Sequence, residues 1–388
     1  MKVGIVVPYS WSYWGGVVDH AEEQAQALEE LGIETRLIMG YDPADRLSRF
    51  LHPRAGRIEP PPERVITVGR SVITPANDSL ANIVLDPRAV RRIKRLLERE
   101  RFDLLHVHEP LTPVISVAAL AYTSTPIVAT FHAAGRSRWR RLATGSWGFL
   151  LDRIDVRIAV SEAARRATRA YAPGSYRLVP NGVRIPDRID VDGRDNRIVF
   201  VGRHEPRKGL ATLLHAWPRI HDETGARLRV IGADPLAVRL LTTRRRLDDT
   251  GVDSLGILPT AELDHELAHA KLLVAPSIGG ESFGMVLTRA FASGTPVIAS
   301  DIDGYRQVVE PESGHLVPPG NSQALTRAII GLLADEPSRR TLGAGARALA
   351  ERKYAWPQIA AQLAGVYREL LGAARPGPRR LHPTAGRS

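Results

Sequence analysis

Short apolar runs alternate with helical patterns through most of the chain. In the first half the strand-like runs are Lys2–Pro8, Glu34–Met39, Arg64–Val68, Leu104–His108, Pro126–His132, Ile154–Val160 and Tyr176–Val179. Val18–Leu31 and Pro87–Arg99 carry apolar residues at helical spacing between them. In the second half the runs are Arg197–Val201, Leu228–Ile231, Ser254–Leu258, Leu272–Ala275, Pro296–Ala299 and His315–Val317, again separated by helices. Continuous apolar strands alternating with helices predict parallel sheets covered on both faces, an α/β architecture.

The alternation pauses at residues 181–196, where polar and turn-forming residues dominate as in a hinge. Two Rossmann-like halves result. An N-terminal domain is predicted over 1–183, a linker over 184–196 and a C-terminal domain over 197–356. The 388-residue length fits two domains of ordinary size. Residues 43–63 are rich in Pro and Arg and read as a surface loop. Residues 373–388 read as a disordered basic tail: from Arg375 onward there are four Arg, three Pro and no acid.

Composition narrows the class. The chain is 44% hydrophobic and 24% charged, which fits a soluble globular protein with full-sized cores. It has no Cys, so disulfide scaffolds, thiolate metal sites and cysteine nucleophiles are excluded. No run approaches the ~18–20 apolar residues of a membrane span. The opening run ends at Pro8 without a small-residue cleavage site, so it reads as a core strand and the expected compartment is the cytoplasm. Lys and Arg number 53 against 42 Asp and Glu, a net charge of +11. The excess concentrates at Arg88, Arg91, Arg92, Lys94, Arg95, Arg99 and Arg101, and again at Arg136, Arg138, Arg140 and Arg141. Such clusters favour anionic partners. No nucleic-acid motif or aromatic stacking pattern accompanies them, so nucleic acid is not an expected partner.

Three strand ends carry candidate chemistry. The first strand runs into Gly15-Gly16 and a helix, a turn whose backbone N–H groups can approach a phosphate or simply close tightly. The absence of G-x-G-x-x-G and of an acid after the second strand argues against a nicotinamide site. Gly202-Arg203-His204-Glu205-Pro206-Arg207-Lys208-Gly209 sets Arg203 and Lys208 beyond a strand end, where two cations suit a diphosphate leaving group. Gly279-Gly280-Glu281-Ser282-Phe283-Gly284 repeats the arrangement, with backbone amides for phosphate oxygens and Glu281 as acceptor for sugar hydroxyls. Asp190-x-Asp192 and Asp301-x-Asp303 mimic a metal-binding pair but read as ordinary surface acids.

With these motifs the chain resembles GT-B glycosyltransferases of the family-4 type, and among them the actinobacterial phosphatidyl-myo-inositol mannosyltransferases. The resemblance covers about residues 1–370 and rests on Gly15-Gly16, His106-Val107-His108-Glu109-Pro110, Ala129-Thr130-Phe131-His132, Val179-Pro180-Asn181-Gly182-Val183, Gly202–Gly209 and Gly279–Gly284. It implies two Rossmann-like domains facing a central cleft, with a last helix, about 357–372, packing back on the N-terminal domain. It implies a nucleotide-sugar donor held by Gly15, Gly16, Arg203, Lys208, Gly280, Glu281, Ser282, Phe283, Gly284 and Arg289. His132, Glu281, Arg203 and Lys208 would be catalytic. It also implies retention of anomeric configuration by a front-face mechanism with no required cofactor or metal.

The chain departs from that family at several positions. Arg289 stands where a second Glu usually binds the nucleotide ribose, and a guanidinium has only donors. Ala76-Asn77-Asp78-Ser79 replaces the usual Tyr-Asn-Gly-Ser near the lipid phosphate, and Asn82 replaces an arginine there. Asn77, Ser79 and Arg70 are the remaining acceptor-side candidates. Ala133 replaces a hydroxyl residue. The expectation is a mannosyltransferase using GDP-mannose on phosphatidylinositol, working in the cell envelope. It would sit peripherally on the inner face of the membrane through Arg88, Arg91, Arg92, Lys94 and Arg95. The alternatives are another nucleotide-sugar or a soluble acceptor, and a catalytically silent GT-B binding protein.

Overall fold

The computed structural model describes residues 1–13, 15–43, 45, 60–76, 79–132 and 148–373. Asn77, Ala133, the arginines of 136–141, most of the 43–63 loop and the tail from 374 lie outside the described residues.

The first half forms one sheet. Strands β1 (Lys2–Ser10), β2 (Glu34–Gly40), β3 (Val65–Thr67), β6 (Leu104–His108), β7 (Ile127–Phe131), β8 (Val156–Ala159) and β9 (Arg177–Leu178) run parallel in the order β3-β2-β1-β6-β7-β8-β9. The second half forms a six-stranded parallel sheet. Its strands are β10 (Arg197–Val201), β11 (Arg227–Ile231), β12 (Val252–Gly256), β13 (Leu272–Ala275), β14 (Val297–Ser300) and β15 (Gly314–Val317), ordered β12-β11-β10-β13-β14-β15. Each sheet reverses its winding direction once, between β1 and β6 and between β10 and β13. Ligands of open α/β sheets bind outside the carboxyl ends of the strands at such reversals.

Helices cover both faces because the strands are apolar on both. Helix Gly16–Glu30 buries Val18, Ala21, Ala25 and Leu28, a stripe at helical spacing, against β1 and β2. Helix Arg88–Glu100 buries Ala89, Ile93 and Leu96 on the opposite face and leaves its arginines and Lys94 exposed. Asp86 caps that helix by accepting from Arg88 N–H at 2.9 Å, with Pro87 already in helical conformation.

The chain leaves the first domain at Val183 and returns beside it. Val183 forms a parallel bridge with Ala355, through Val183 N–H to Tyr354 O at 2.8 Å and Trp356 N–H to Val183 O at 3.2 Å. Helix Trp356–Gly372 then joins the N-terminal core, where Trp356, Ile359, Leu363 and Tyr367 pack with residues of β1 and helix Gly16–Glu30.

One feature escaped the sequence pattern. Strands β4 (Ser71–Ala76) and β5 (Ser79–Val84) form an antiparallel hairpin that joins β1 through Tyr9 and Ile83. Pro75 and the polar residues between the apolar ones hide it, and an edge position tolerates that proline.

Candidate active site

The two winding reversals bring the predicted motifs to strand ends. In the C-terminal domain, the loop after β10 carries Arg203–Lys208 and the loop after β13 carries Ser277–Gly284. Their charges alternate. Arg203 Nε meets Glu205 at 3.1 Å, and Arg207 meets Glu205 at 2.7 Å and Glu281 at 2.6 Å. Lys208 Nζ meets the same Glu281 oxygen at 2.7 Å. Lys208 and Glu281 are thus brought together, while Arg203 turns to Glu205 with its side chain 52% exposed. Arg207 is the member that sequence reasoning missed. It sits in the same motif, but only folding shows that it bridges both acids.

The glycine loop is held by contact. Gly284, at φ 90°, caps helix Met285–Ala292, and a Cβ there would lie 2.7 Å from the Tyr305 ring. Tyr305 in turn bonds Ser277 Oγ at 2.9 Å. Burial, followed by the charge of Glu281, pushes the Tyr305 phenol well up, so it stays protonated. Ser282 offers its carbonyl to Ser161 Oγ of the other domain. Phe283 is buried in the C-terminal core.

In the N-terminal domain, Gly15 caps helix Gly16–Glu30 in extended conformation. A Cβ on Gly16 would lie 3.3 Å from Met285 Sδ, so this turn meets the C-terminal domain across the cleft. Further along the sheet lies a buried polar seam. His106 and His108 alternate on β6, and each reaches two residues past its register partner on β7, His106 to Thr130 and His108 to His132. His106 bonds Thr130 Oγ1 at 2.6 Å, and His108 Nδ1 lies 2.7 Å from His132 Nε2. His20, Gln24 and Tyr367 cover this seam from the helices. Burial draws the pKa of His106 down to about 3. It draws His132 down to about 4, although the charge of Glu109 and the nearby Asn181 side chain oppose the shift. Burial, followed by the neighbouring histidines, holds His20 and His108 well below the ordinary range. All four rings are neutral at pH 7.

Nitrogens of His20, His108 and His132 lie within 4.8 Å of one another, a spacing that can hold a metal ion. Ligands ~2.0–2.1 Å from a tetrahedral zinc sit about 3.3 Å apart, so the 2.7 Å His108–His132 contact would have to open first.

The other predicted site residues fall elsewhere. Arg289 lies buried on helix Met285–Ala292, with Nη2 at 2.9 Å from Glu23 of the N-terminal domain and Nη1 at 3.0 Å from Asp264. Burial opposes its charge, but the two carboxylates outweigh it and hold its pKa above the ordinary value. Arg70 pairs with Asp45 at 2.5 Å on the surface, so its guanidinium is already engaged. Ser79 lies at the start of β5. Arg92 donates to Val68 O at 3.0 Å, while Arg88, Arg91, Lys94 and Arg95 are exposed.

The described acids of the two D-x-D pairs are used locally. Asp190 accepts from Gly193 N–H, and Asp192, Asp301 and Asp303 pair with arginines. Among the described residues no helix is long and apolar enough to cross a membrane.

Comparison with known proteins agrees with this geometry. Residues 14–185 match the family described as Glycosyltransferase Family 4, and residues 195–335 match Glycosyl transferases group 1. A phosphatidyl-myo-inositol mannosyltransferase of Mycobacterium leprae is 34% identical over 381 residues, covering 95% of this chain and 96% of the relative. The solved structure of sucrose-phosphate synthase from Thermosynechococcus elongatus superposes with a TM-score of 0.74 at 24% identity, over 96% of this chain and 100% of that one. Anabaena HepE in complex with UDP and glucose gives a TM-score of 0.73 at 20% identity, over 95% and 100%.

Proposed function

The chain belongs to the family-4 glycosyltransferases of GT-B fold, and from that premise we propose that it moves mannose from GDP-mannose to phosphatidylinositol at a membrane surface, with retention of configuration. The observation that carries this reading is the cluster of Arg203, Arg207, Lys208 and Glu281 at the β10 and β13 ends. It supplies cations for a diphosphate and a carboxylate for sugar hydroxyls, in a chain one-third identical to an enzyme named for mannosyl transfer to that lipid.

In the proposed reaction the acceptor hydroxyl oxygen bonds to C1 of the sugar on the face from which the diphosphate departs. The C1–oxygen bond to the diphosphate breaks, and the acceptor's proton passes to a leaving phosphate oxygen. Arg203 and Lys208 neutralise the charge that develops there, which is the transition-state term worth most in such a site. For this to happen Lys208 and Arg207 must loosen their hold on Glu281 as the donor enters, freeing the carboxylate for the sugar. His132 borders the reacting sugar from the other domain.

No metal or cofactor is required in this scheme. The exposed basic face of helix Arg88–Glu100 holds the enzyme on an anionic leaflet, which in this reading is the cytoplasmic face of the cell membrane. Each basic residue near such a surface contributes about 1 kcal/mol.

The test is a donor panel of GDP-mannose, UDP-glucose and UDP-N-acetylglucosamine with phosphatidylinositol liposomes, product stereochemistry being read by NMR. Mannosyl lipid of retained configuration, formed from GDP-mannose alone, is the expected product. Transfer from a uridine donor, or to soluble acceptors only, moves the reading to another family-4 activity. Neither transfer nor donor hydrolysis with any donor would make the protein a silent binding module.

A further inference from the structure

Two histidines on one sheet face are satisfied to different degrees. His106 has both ring nitrogens engaged. Gln24 Nε2 approaches its Nδ1 at 3.0 Å, and Thr130 Oγ1 lies 2.6 Å from its Nε2. An amide nitrogen can only donate, so the His106 proton sits on Nε2. Among the described residues the His108 ring has a single hydrogen-bond partner: its Nδ1 lies 2.7 Å from His132 Nε2, and its own buried Nε2 has none. One proton is therefore shared between the two rings, and its position sets the tautomer of both.

The buried Nε2 of His108 places that proton. If His132 donated, His108 would carry its hydrogen on Nε2 as a buried N–H without an acceptor. The reverse leaves only an unpaired lone pair there, and orphaned buried N–H groups are rarer than under-satisfied acceptors.

We propose that His108 is a positioning residue: it donates Nδ1–H to Nε2 of His132 and fixes His132 with its own proton on Nδ1. Neighbouring contacts hold the two residues in place. The backbone N–H of His132 donates to Glu109 Oε1 at 2.9 Å. Glu109 holds φ at 48°, a left-handed conformation that a non-glycine residue rarely adopts. His20 presents its ring edge-on to both partners, at centroid distances of 5.8 and 5.2 Å. His132 is thus held in a single tautomer. The inference rests on the reading of His132 as a residue of the reaction site.

The test uses the full-length protein with GDP-mannose and phosphatidylinositol liposomes, and compares His108→Phe, His108→Asn, His108→Gln and His132→Ala. The amide nitrogen of Asn occupies the place of Nδ1, whereas that of Gln reaches the place of Nε2. Partners that orient a metal-bound imidazole are worth about 10–100-fold in activity, and an effect of the same order is expected here. His108→Phe is therefore expected to lower kcat at least about tenfold, with the donor KM little changed. His108→Asn should recover most of the loss and His108→Gln should not. Long-range ¹H–¹⁵N spectra should show His132 protonated on Nδ1 in the parent and mixed between nitrogens in His108→Phe. Full kcat in folded His108→Phe, or an unchanged His132 tautomer in it, overturns the inference. Should His108→Phe fail to fold, equal activity of the Asn and Gln variants overturns it instead. An active His132→Ala removes the reading of His132 itself. An inactive His132→Ala beside an active His108→Phe removes only the role of His108.

Discussion

The histidines of the buried seam carry a pH dependence with a definite sign. His20, His106, His108 and His132 all have folded pKa values below the ordinary 6.5. Between that value and their folded ones, the unfolded chain binds protons that the folded chain refuses. Stability is then full above about pH 6.5 and falls as pH drops toward 4, each ring contributing a slope of up to about 1.4 kcal/mol per pH unit. The melting temperature should decline steeply from pH 6.5 to 4, and replacing His106 by Gln should flatten that decline. A melting temperature independent of pH in this range would mean the rings are not held neutral. At the proposed donor site, Arg203→Ala or Lys208→Ala should remove a charge-assisted contact worth ~1.5–3 kcal/mol, so donor binding by calorimetry should weaken at least tenfold. Arg207→Ala should weaken it too, because Arg207 shares Glu281 with Lys208. Unchanged affinity in all three variants would move the diphosphate elsewhere.

At the scale of elements, helix Met285–Ala292 is tied to the other domain through Arg289. Its guanidinium lies between Glu23 and Asp264, and Glu23 also accepts from Trp356 Nε1 at 2.8 Å. The family pattern alone suits Arg289→Glu as a repair of nucleotide binding. The fold reverses that expectation, because the variant would gather three carboxylates where two now neutralise a cation. Breaking a largely buried pair costs about 3–5 kcal/mol, reduced here because Asp264 is half exposed. Arg289→Glu should therefore melt at lower temperature, and small-angle scattering should show the two domains further apart. A more stable variant would sink this account. Helix Arg88–Glu100 invites a separate test. Arg92 is tied to Val68 O, so the residues free to meet an anionic surface are Arg88, Arg91, Lys94 and Arg95. Changing Arg91, Lys94 and Arg95 to Ser should abolish sedimentation with anionic vesicles and leave nucleotide affinity intact. Salt should mimic the change, since exposed charges are screened over about 8–10 Å. Equal sedimentation of variant and parent would remove this helix from membrane binding.

For the molecule as a whole, helix Trp356–Gly372 makes the two domains interdependent. It supplies Trp356, Ile359, Leu363 and Tyr367 to the N-terminal core, and Tyr367 OH reaches the His106 ring. A Cβ on Gly182 would lie 2.4 Å from the Trp356 ring, so the crossing point is tightly closed. A chain ending at Ala355 would leave that apolar face of the first domain open. It should lose cooperative melting and bind a hydrophobic dye while keeping the secondary structure of the C-terminal sheet. Two unchanged, independent transitions would show that the helix is dispensable.

What was legible from residues alone follows from how local the signal is. Apolar strands alternating with helices dictate parallel sheets because both strand faces need cover, so the two-domain α/β order could be read directly. Glycine turns and cations at Gly202–Gly209 and Gly279–Gly284 announce strand-end ligand loops because their chemistry lies within a few residues. The hairpin of β4 and β5 could not be read, since an edge hairpin containing Pro75 has neither periodicity nor a tight turn signature. Nor could the partners of Arg289, Arg70 and His108. Glu23 lies 266 positions from Arg289, and His108 meets His132, two residues past its register partner Thr130, only because β6 and β7 lie side by side. Charge and hydrogen bonding act over a few ångströms in space, and tertiary structure alone decides which side chains share those ångströms.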